Sequence, residues 1–445
     1  MRLKGREVKA FLEALEAAER YKPFQVAKRN VLRRYGLQGT RLDRLLTALL
    51  YKMYRIQGIL DRIAEEAAGV HVSKLPAFLR QATRLAAFLA LYDEAGDEEL
   101  AEQLVDAMAR LAATRFGEAN GERLKLLYKR LRRGSWRPSS ELELEMRLLL
   151  PRLLVERLRK LLGGMEEVER FAEAVNNPRP TYGLRVNTLK ATVDEVLDEL
   201  AKLGVHAEPS HRVPNHVRYR PGLPYDKLSL LREGKVVPQD EASAAVGYIL
   251  SPAAGERVAD LCAAPGGKTT HIAELQRNTG QVAALEIYPD RMGRLVDLAQ
   301  RTGTLASIVP VLGDAIRASR LLRPVMDKVL LDPPCSSTGA IARHPEARWR
   351  LTEATLAKLA RRQHQMLTEA IRITKPGGRI LYTVCSVMPE EGEHVIQRAL
   401  EEQKVRLVPL QGPYSPSPLL PGTMRAWPHR HGTTGFFYAL LEKVS

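Results

Sequence analysis

Cys262, Cys335 and Cys385 are the three cysteines of the chain, and each stands at the end of an apolar run of strand length. A thiolate in an accessible crevice is a nucleophile, whereas a lone buried thiol is a small hydrophobe. Cys262 falls within Asp260-Leu261-Cys262-Ala263-Ala264-Pro265-Gly266-Gly267-Lys268-Thr269, an apolar strand that runs into a Gly-rich turn and then a helix. Open α/β sheets hold nucleotide-like cofactors in this way, at the carboxyl ends of their strands. Pro265 fixes its own φ, and Gly266 and Gly267 are expected to adopt values that a side chain forbids. Three later apolar runs each deliver an acid to the same edge: Glu286 after Gln281–Leu285, Asp314 after Ile308–Gly313, and Asp332 after Lys328–Leu331.

The turn is not a phosphate loop, because Cys262 holds the position where that motif needs its first glycine, and G-x-G-x-x-G is absent. Glu286 closes the second strand, about twenty residues past the turn, a position suited to accepting hydrogen bonds from a ribose diol. Asp332-Pro333-Pro334-Cys335 ends the fourth strand, where two prolines stop both helix and ladder pairing. Thr383-Val384-Cys385-Ser386 ends the fifth, expected to be its neighbour, so Cys335 and Cys385 should face one crevice and Cys262 should pack beside the turn.

The elements that must position these groups divide into three regions. Residues 1–134 have helical periodicity almost throughout, with Arg44, Arg55, Arg62, Arg80, Arg84, Lys129, Arg130, Arg132 and Arg133 making the bundle basic. A breaker follows at Gly134-Ser135-Trp136-Arg137-Pro138-Ser139-Ser140. Residues 141–240 begin with a helical run from Glu141 to about Leu162 and a second from Met165 to Val175. After a break at Asn176-Asn177-Pro178-Arg179-Pro180 they carry short strands around a helix from Val193 to Leu203, a small α+β module. In residues 241–445 helices and apolar strands alternate, the pattern of a doubly wound sheet.

The chain has 445 residues and a formal charge of +16, too long for one core and basic enough to suggest a polyanion as partner, nucleic acid first. A surface adapted to high temperature would be more evenly charged. Three cysteines make no disulfide framework and no zinc-ligand spacing, and no apolar stretch is long enough to span a bilayer. The expectation is a reduced, cytoplasmic protein with no structural metal and no membrane contact.

The runs Asp260–Thr269, Asp332–Cys335 and Thr383–Ser386 resemble those of the Sun/Fmu type of RNA cytosine-5 methyltransferases, which use S-adenosylmethionine. The likeness extends to Leu184–Lys190, Pro238–Ser243, Pro389-Glu390-Glu391-Gly392-Glu393 and Gly435-Phe436-Phe437. The helical region is similar to the NusB-like domain at the start of the ribosomal RNA members. The resemblance thus implies a Rossmann-like α/β methyltransferase domain, a small α+β module before it and an all-α NusB-like N-terminal domain, acting on ribosomal RNA or, as the alternative, transfer RNA.

The resemblance also assigns roles. Cys262, Ala263, Ala264, Pro265, Gly266, Gly267 and Lys268 would wrap the cofactor. Glu286 would hold its ribose, Arg291 would lie near it, Asp314 would meet the adenine amino group, and Asp332 would sit between cofactor and base. Cys385 would be the nucleophile and Cys335 would help release the product. The sequence departs from the family pattern at Val384, usually Thr, and at Gly392, usually Asn. A non-catalytic RNA-binding assembly factor is the reading from another class, and it needs neither thiol.

Overall fold

The computed structural model describes residues 2–20, 24–92, 97–176, 182–220 and 228–445. The breaker Asn177-Pro178-Arg179-Pro180 lies outside the described residues, apart from Asn176 before it. The chain forms two compact units, residues 1–152 and 153–445.

The first unit is all helix among its described residues. Its centre is Ala77–Leu91, in which Phe78, Leu79, Ala82, Leu85, Ala86, Ala87, Phe88 and Leu89 are all buried, so this helix is apolar nearly all round, as a core helix must be. Helices Gly5–Arg20, Gln57–Ala68, Glu98–Phe116 and Glu118–Arg132 pack against it. Several of its basic residues are not a free cationic face. Arg84 is buried and forks onto Asp61, with Nε 2.7 Å from Oδ1 and Nη2 2.8 Å from Oδ2. Arg80 donates to Glu19 at 3.0 Å and Arg62 to Glu145 at 2.7 Å. These three charges are spent inside the unit.

The helical run expected from Glu141 to Leu162 is two helices, Ser140–Leu148 and Arg152–Leu162. Pro151 is the cause: it lacks an N–H and disfavours the α conformation of the residue before it, and Leu149 caps the first helix at φ 51°. The first of the two belongs to the helical unit and the second to the other.

The second unit opens with an α+β module. Strands β1 (Tyr182–Val186), β2 (Ala207–Pro209), β3 (His216–Tyr219) and β4 (Val236–Pro238) form an antiparallel sheet in the order β2-β3-β1-β4. Helix Val193–Lys202 covers it, started by a capping box between Thr192 and Glu195.

Next come β5 (Arg257–Asp260), β6 (Gln281–Glu286), β7 (Ile308–Leu312), β8 (Met326–Leu331), β9 (Thr374–Val384), β10 (Val405–Val408), β11 (Ser415–Pro416), β12 (Met424–Ala426) and β13 (Phe436–Lys443). Among the described residues these nine form one sheet, β11-β12-β13-β9-β8-β5-β6-β7, with β10 also on β13. Strands β7, β6, β5, β8 and β9 run parallel, and β13 pairs antiparallel with β9. This is a Rossmann-like sheet with an antiparallel extension. From β5 the chain builds outward to β6 and β7, then returns to lay β8 on the other side. The order therefore reverses between β5 and β8, and the crevice at their carboxyl ends is where such sheets bind ligands. Buried clusters fill both faces of the sheet, one around Val258, Val282 and Leu330, the other around Ala259, Val329 and Tyr382.

Candidate active site

The crevice between β5 and β8 is lined by Gln239, Asp240, Ser243, Asp260, Cys262, Ala263, Ala264, Pro265, Gly267, Lys268 and Asp332, and encloses about 290 Å³. Its floor is the turn after β5. Gly266 adopts φ 103°, and a Cβ there would lie 3.1 Å from Leu295 Cγ and 3.2 Å from Leu295 Cα, so both conformation and space require glycine. Gly267 differs from the expectation. Its φ is not positive; it opens the helix Gly267–Leu275, and a Cβ there would meet nothing nearer than Gln239 Nε2 at 3.7 Å.

That helix is fixed from behind by the α+β module. Arg185 of β1 is fully buried, donates to Gln239 Oε1 at 2.9 Å and Thr270 Oγ1 at 3.1 Å, and pairs with Glu274. Glu274 in turn accepts from the Thr188 amide at 2.9 Å. The Arg185–Thr188 segment of the module thus holds the Gly-rich turn in register, a role that the residue pattern alone did not reveal.

Asp260, at the end of β5, is buried, and Oδ2 accepts from Thr269 Oγ1 at 2.7 Å. Oδ1 has no partner among the described residues. Burial pushes this carboxyl up to about 6 against the opposing effect of Thr269 and Lys268. Glu286 is buried and accepts from the Ile287 and Tyr288 amides at 3.0 Å each, with Arg291 Nη1 3.4 Å from its other oxygen. Arg291 also donates to the Ala264 carbonyl at 2.5 Å, tying the Gly-rich turn to the end of β6. Asp314, past β7, accepts from the Ile316 amide at 3.2 Å and faces Arg362 at 3.7 Å. The turn, Glu286 and Arg291 form one connected cradle, and the Asp314 carboxylate stands at the next strand end.

Asp332 ends β8. It accepts from Lys268 Nζ at 2.5 Å and from Thr383 Oγ1 of β9 at 3.2 Å, so the helix after β5 and strand β9 converge on the carboxylate at the end of β8. Burial acts to lower the Lys268 ammonium's pKa, but Asp332 beside it outweighs this and holds it above the usual range.

Cys335 and Cys385 come together as expected, with their sulfurs 3.3 Å apart. Two backbone bonds close this contact: the Gly339 amide donates to the Cys385 carbonyl at 3.0 Å, and the Gly435 amide to the Gly339 carbonyl at 2.9 Å. A Cβ on Gly339 would lie 1.9 Å from the Gly435 carbonyl oxygen, so glycine is what lets the loop after β8 lie against the start of β13. The hydrogen bond shared with Cys335 lowers the Cys385 pKa, against burial and Asp332, and Ser337 and Lys268 act in the same direction. The same bond raises Cys335 well above its ordinary range, with burial adding to it. The shared hydrogen bond thus favours a negative charge on Cys385 over one on Cys335. Cys262 is raised by burial, the behaviour of a packed thiol.

A second cavity of about 410 Å³ opens beside Cys335, lined by Ser336, Ser337, His344, Arg350, Leu351 and Leu359 among others. Among the described residues no cluster of His, Cys, Asp and Glu could hold a metal ion, and no helix is long and apolar enough to cross a membrane.

Of the two departures noted above, Gly392 has a local cause: a Cβ there would lie 3.0 Å from Arg425 Nη2 and 3.1 Å from Phe437 Cγ. Arg425 is itself buried against Glu393, with Nε 2.7 Å from Oε1, and donates to the Ser386 carbonyl at 3.2 Å. Val384 is buried in the sheet core.

A family model described as "16S rRNA methyltransferase RsmB/F" matches residues 247–442. A second, the ferredoxin-like domain of RsmF/B-like methyltransferases, matches residues 150–223. The chain is 36% identical over 300 residues to ribosomal RNA small subunit methyltransferase B of Salmonella paratyphi B, covering 67% of each chain. It is 32% identical over 416 residues to the probable ribosomal RNA small subunit methyltransferase B of Synechocystis, covering 90% of this chain and 91% of that one. The solved structure of PH0851 matches over 100% of both chains at 39% identity, with a TM-score of 0.84. With these matches over both the α+β module and the sheet whose crevice holds the paired thiols, the chain belongs to the RsmB/F (Sun/Fmu) family of RNA methyltransferases.

Proposed function

We propose that this protein methylates C5 of cytosine in ribosomal RNA through a covalent bond between Cys385 and C6 of the base. The observation that carries the reading is the pair of sulfurs 3.3 Å apart at the ends of β8 and β9, beside the cavity walled by the Gly-rich turn. A methyltransferase that attacks a nucleophilic ring nitrogen or hydroxyl needs no thiol. C5 of cytosine does, because it is too poor a nucleophile until something adds to C6.

S-adenosylmethionine, the cofactor that family membership implies, supplies the electrophilic methyl group. The described residues fit it: the glycine turn leaves room for backbone approach, Glu286 and Asp314 offer acceptors at successive strand ends, and Asp260 Oδ1 is a buried acceptor awaiting a donor. Cys262, Ala263, Ala264, Pro265, Gly266, Gly267 and Lys268 would wrap the methionine and ribose part, with Arg291 bracing Glu286.

Cys385 adds to C6 as the thiolate, and the displaced electron pair makes C5 nucleophilic. Asp332, in the lining of the cavity walled by the Gly-rich turn, would sit between cofactor and base and accept from the amino group of the cytosine. After methylation the C5 proton leaves to a base and the C6–S bond breaks, returning the electron pair to Cys385 and restoring the aromatic ring. Cys335, 3.3 Å away, is the group placed to assist that release. A stacked base cannot reach this crevice, so the target is unpaired or extruded.

Methyl-labelled cofactor incubated with total RNA from cells lacking the gene tests the reading. Label should appear as 5-methylcytidine in small-subunit ribosomal RNA. Label in transfer RNA would change the substrate, label on any other base would overturn the chemistry, and tight RNA binding with no transfer would support a non-catalytic assembly factor.

A further inference from the structure

Glu391 is wholly buried, follows the end of strand β9 by seven residues, and itself lines neither cavity. Its carboxylate nevertheless gathers both thiol loops. Oε1 accepts from the Ser336 amide at 2.8 Å and from Gln363 Nε2 at 3.0 Å. Oε2 accepts from Ser386 Oγ at 2.6 Å and from Ser336 Oγ. Its own carbonyl accepts from Tyr382 OH at 2.6 Å. Ser336 follows Cys335 and Ser386 follows Cys385, so one side chain clamps the residue next to each sulfur. Gln363 extends the clamp, donating also to the Pro334 carbonyl at 3.0 Å. Thr338 and Ser386 hydroxyls, 3.0 Å apart, complete it.

A carboxylate used only as a clamp is a costly choice in a fully buried place, where neutral acceptors suffice. Its charge has a second effect here. Charged and titratable groups face the thiols from each neighbouring element: Lys268 from the helix after β5, Asp332 from β8, Tyr382 from β9, Glu391 from the turn after it, and His344, Glu346 and Arg350 across the cavity beside Cys335. Lys268 favours a negative charge on Cys385, and Asp332 opposes it. Glu391 opposes a negative charge on Cys335 and also disfavours ionisation of Tyr382. The cation thus acts at one sulfur and the Glu391 carboxylate at the other.

We propose that Glu391 is a positioning residue that holds the two thiol loops in contact and, through its charge, keeps Cys335 protonated so that the pair ionises at Cys385. The inference rests on the roles given above to Cys385 and Cys335, but its electrostatic half belongs to the free enzyme and is measurable without RNA. Glu391→Gln is the informative substitution. The amide keeps an acceptor toward the Ser336 amide and Gln363, and the Ser336 and Ser386 hydroxyls can rotate to accept from its NH2, so the clamp survives while the charge goes.

The experiment is pulsed iodoacetamide alkylation of the full-length protein across pH 6–9, with peptide mass spectrometry reporting the three cysteines separately and Cys262 serving as the packed reference. In the parent protein Cys385 is labelled first. In Glu391→Gln the ratio of Cys335 to Cys385 labelling rises about tenfold, the consequence of one unit of relative acidity, while the melting temperature and Cys262 labelling stay put. Methyl transfer slows with little change in KM for the cofactor. An unchanged labelling ratio and pH profile in Glu391→Gln overturns the proposal and leaves Glu391 a packing acceptor. If the ratio shifts but neither protein methylates cytosine, the positioning stands and the proposed reaction is what fails.

Discussion

Two thiols in contact at the end of neighbouring strands have separable consequences when each is removed. On the proposed mechanism Cys385→Ala should leave C5 unactivated, so that neither product nor covalent RNA complex forms. Cys335→Ala should leave the thiolate and methyl transfer in place but impair elimination, so that the methylated base stays on the protein. Denaturing gels should therefore show a protein–RNA adduct for Cys335→Ala and none for Cys385→Ala or the double variant. Adducts with the reverse pattern would make Cys335 the nucleophile. Asp260 gives a second residue-level test. Its folded-state pKa of about 6 lies above the unfolded value near 3.8, so the ionised form is penalised in the folded state. Folded protein then binds more protons than unfolded protein between these values, and stability falls as pH rises through that window. Asp260→Asn should be more stable than the parent above pH 6, by an amount on the order of 3 kcal/mol for a shift of about two units. The difference should vanish below about pH 4, and chemical denaturation at the two ends of that range measures it. Equal stability at both ends would mean that the carboxylate is not penalised.

At the level of elements, the turn after β5 carries the most demanding backbone. Gly266→Ala places a side chain at φ 103° with Leu295 Cα 3.2 Å from its Cβ. This should cost at least about 1–2 kcal/mol of stability and weaken cofactor binding, read by thermal melting and calorimetry. Gly293→Ala is the control: it lies in the helix Pro289–Thr302, and nothing stands within 4 Å of the added Cβ. It should be neutral or stabilise by up to about 1 kcal/mol. What was legible in the sequence follows the same physics. β6 is bounded as its apolar run predicts, Gln281–Glu286, because burial pattern is a local property. Strands β10, β11 and β12 were not legible. They are short, they alternate poorly, and they exist because β13 and one another offer pairing edges. The meeting of Cys335 with Cys385 could be foreseen from strand order, whereas the role of Glu391 could not: it stands 55 residues from Ser336 and 28 from Gln363, and no periodicity links them. The turn at Pro389–Gly392 hides it as well, since the helix that follows begins only at Glu393.

For the molecule as a whole, the charge of +16 needs a counterpart, and RNA is the one the family supplies. The helical unit carries part of that charge, but Arg62, Arg80 and Arg84 are paired with carboxylates of the same unit. Those three should therefore contribute to its folding and little to binding. Truncation at the unit boundary separates the contributions. Residues 153–445 contain the complete sheet, the α+β module and the Arg185–Glu274 clamp, so this piece should fold and bind the cofactor with parental affinity. If the helical unit contacts RNA, the truncated chain should bind RNA more weakly and with a shallower salt dependence, the slope of log K against log salt falling by about 0.7 for each lost phosphate contact on a single strand. Filter binding at several salt concentrations measures both. Within the full chain, Arg84→Met should lower the melting temperature of the helical unit and leave the salt slope unchanged, because that guanidinium is engaged by Asp61 and Glu19. Equal affinity and equal slope with and without residues 1–152 would assign the whole of RNA recognition to the α+β module and the sheet.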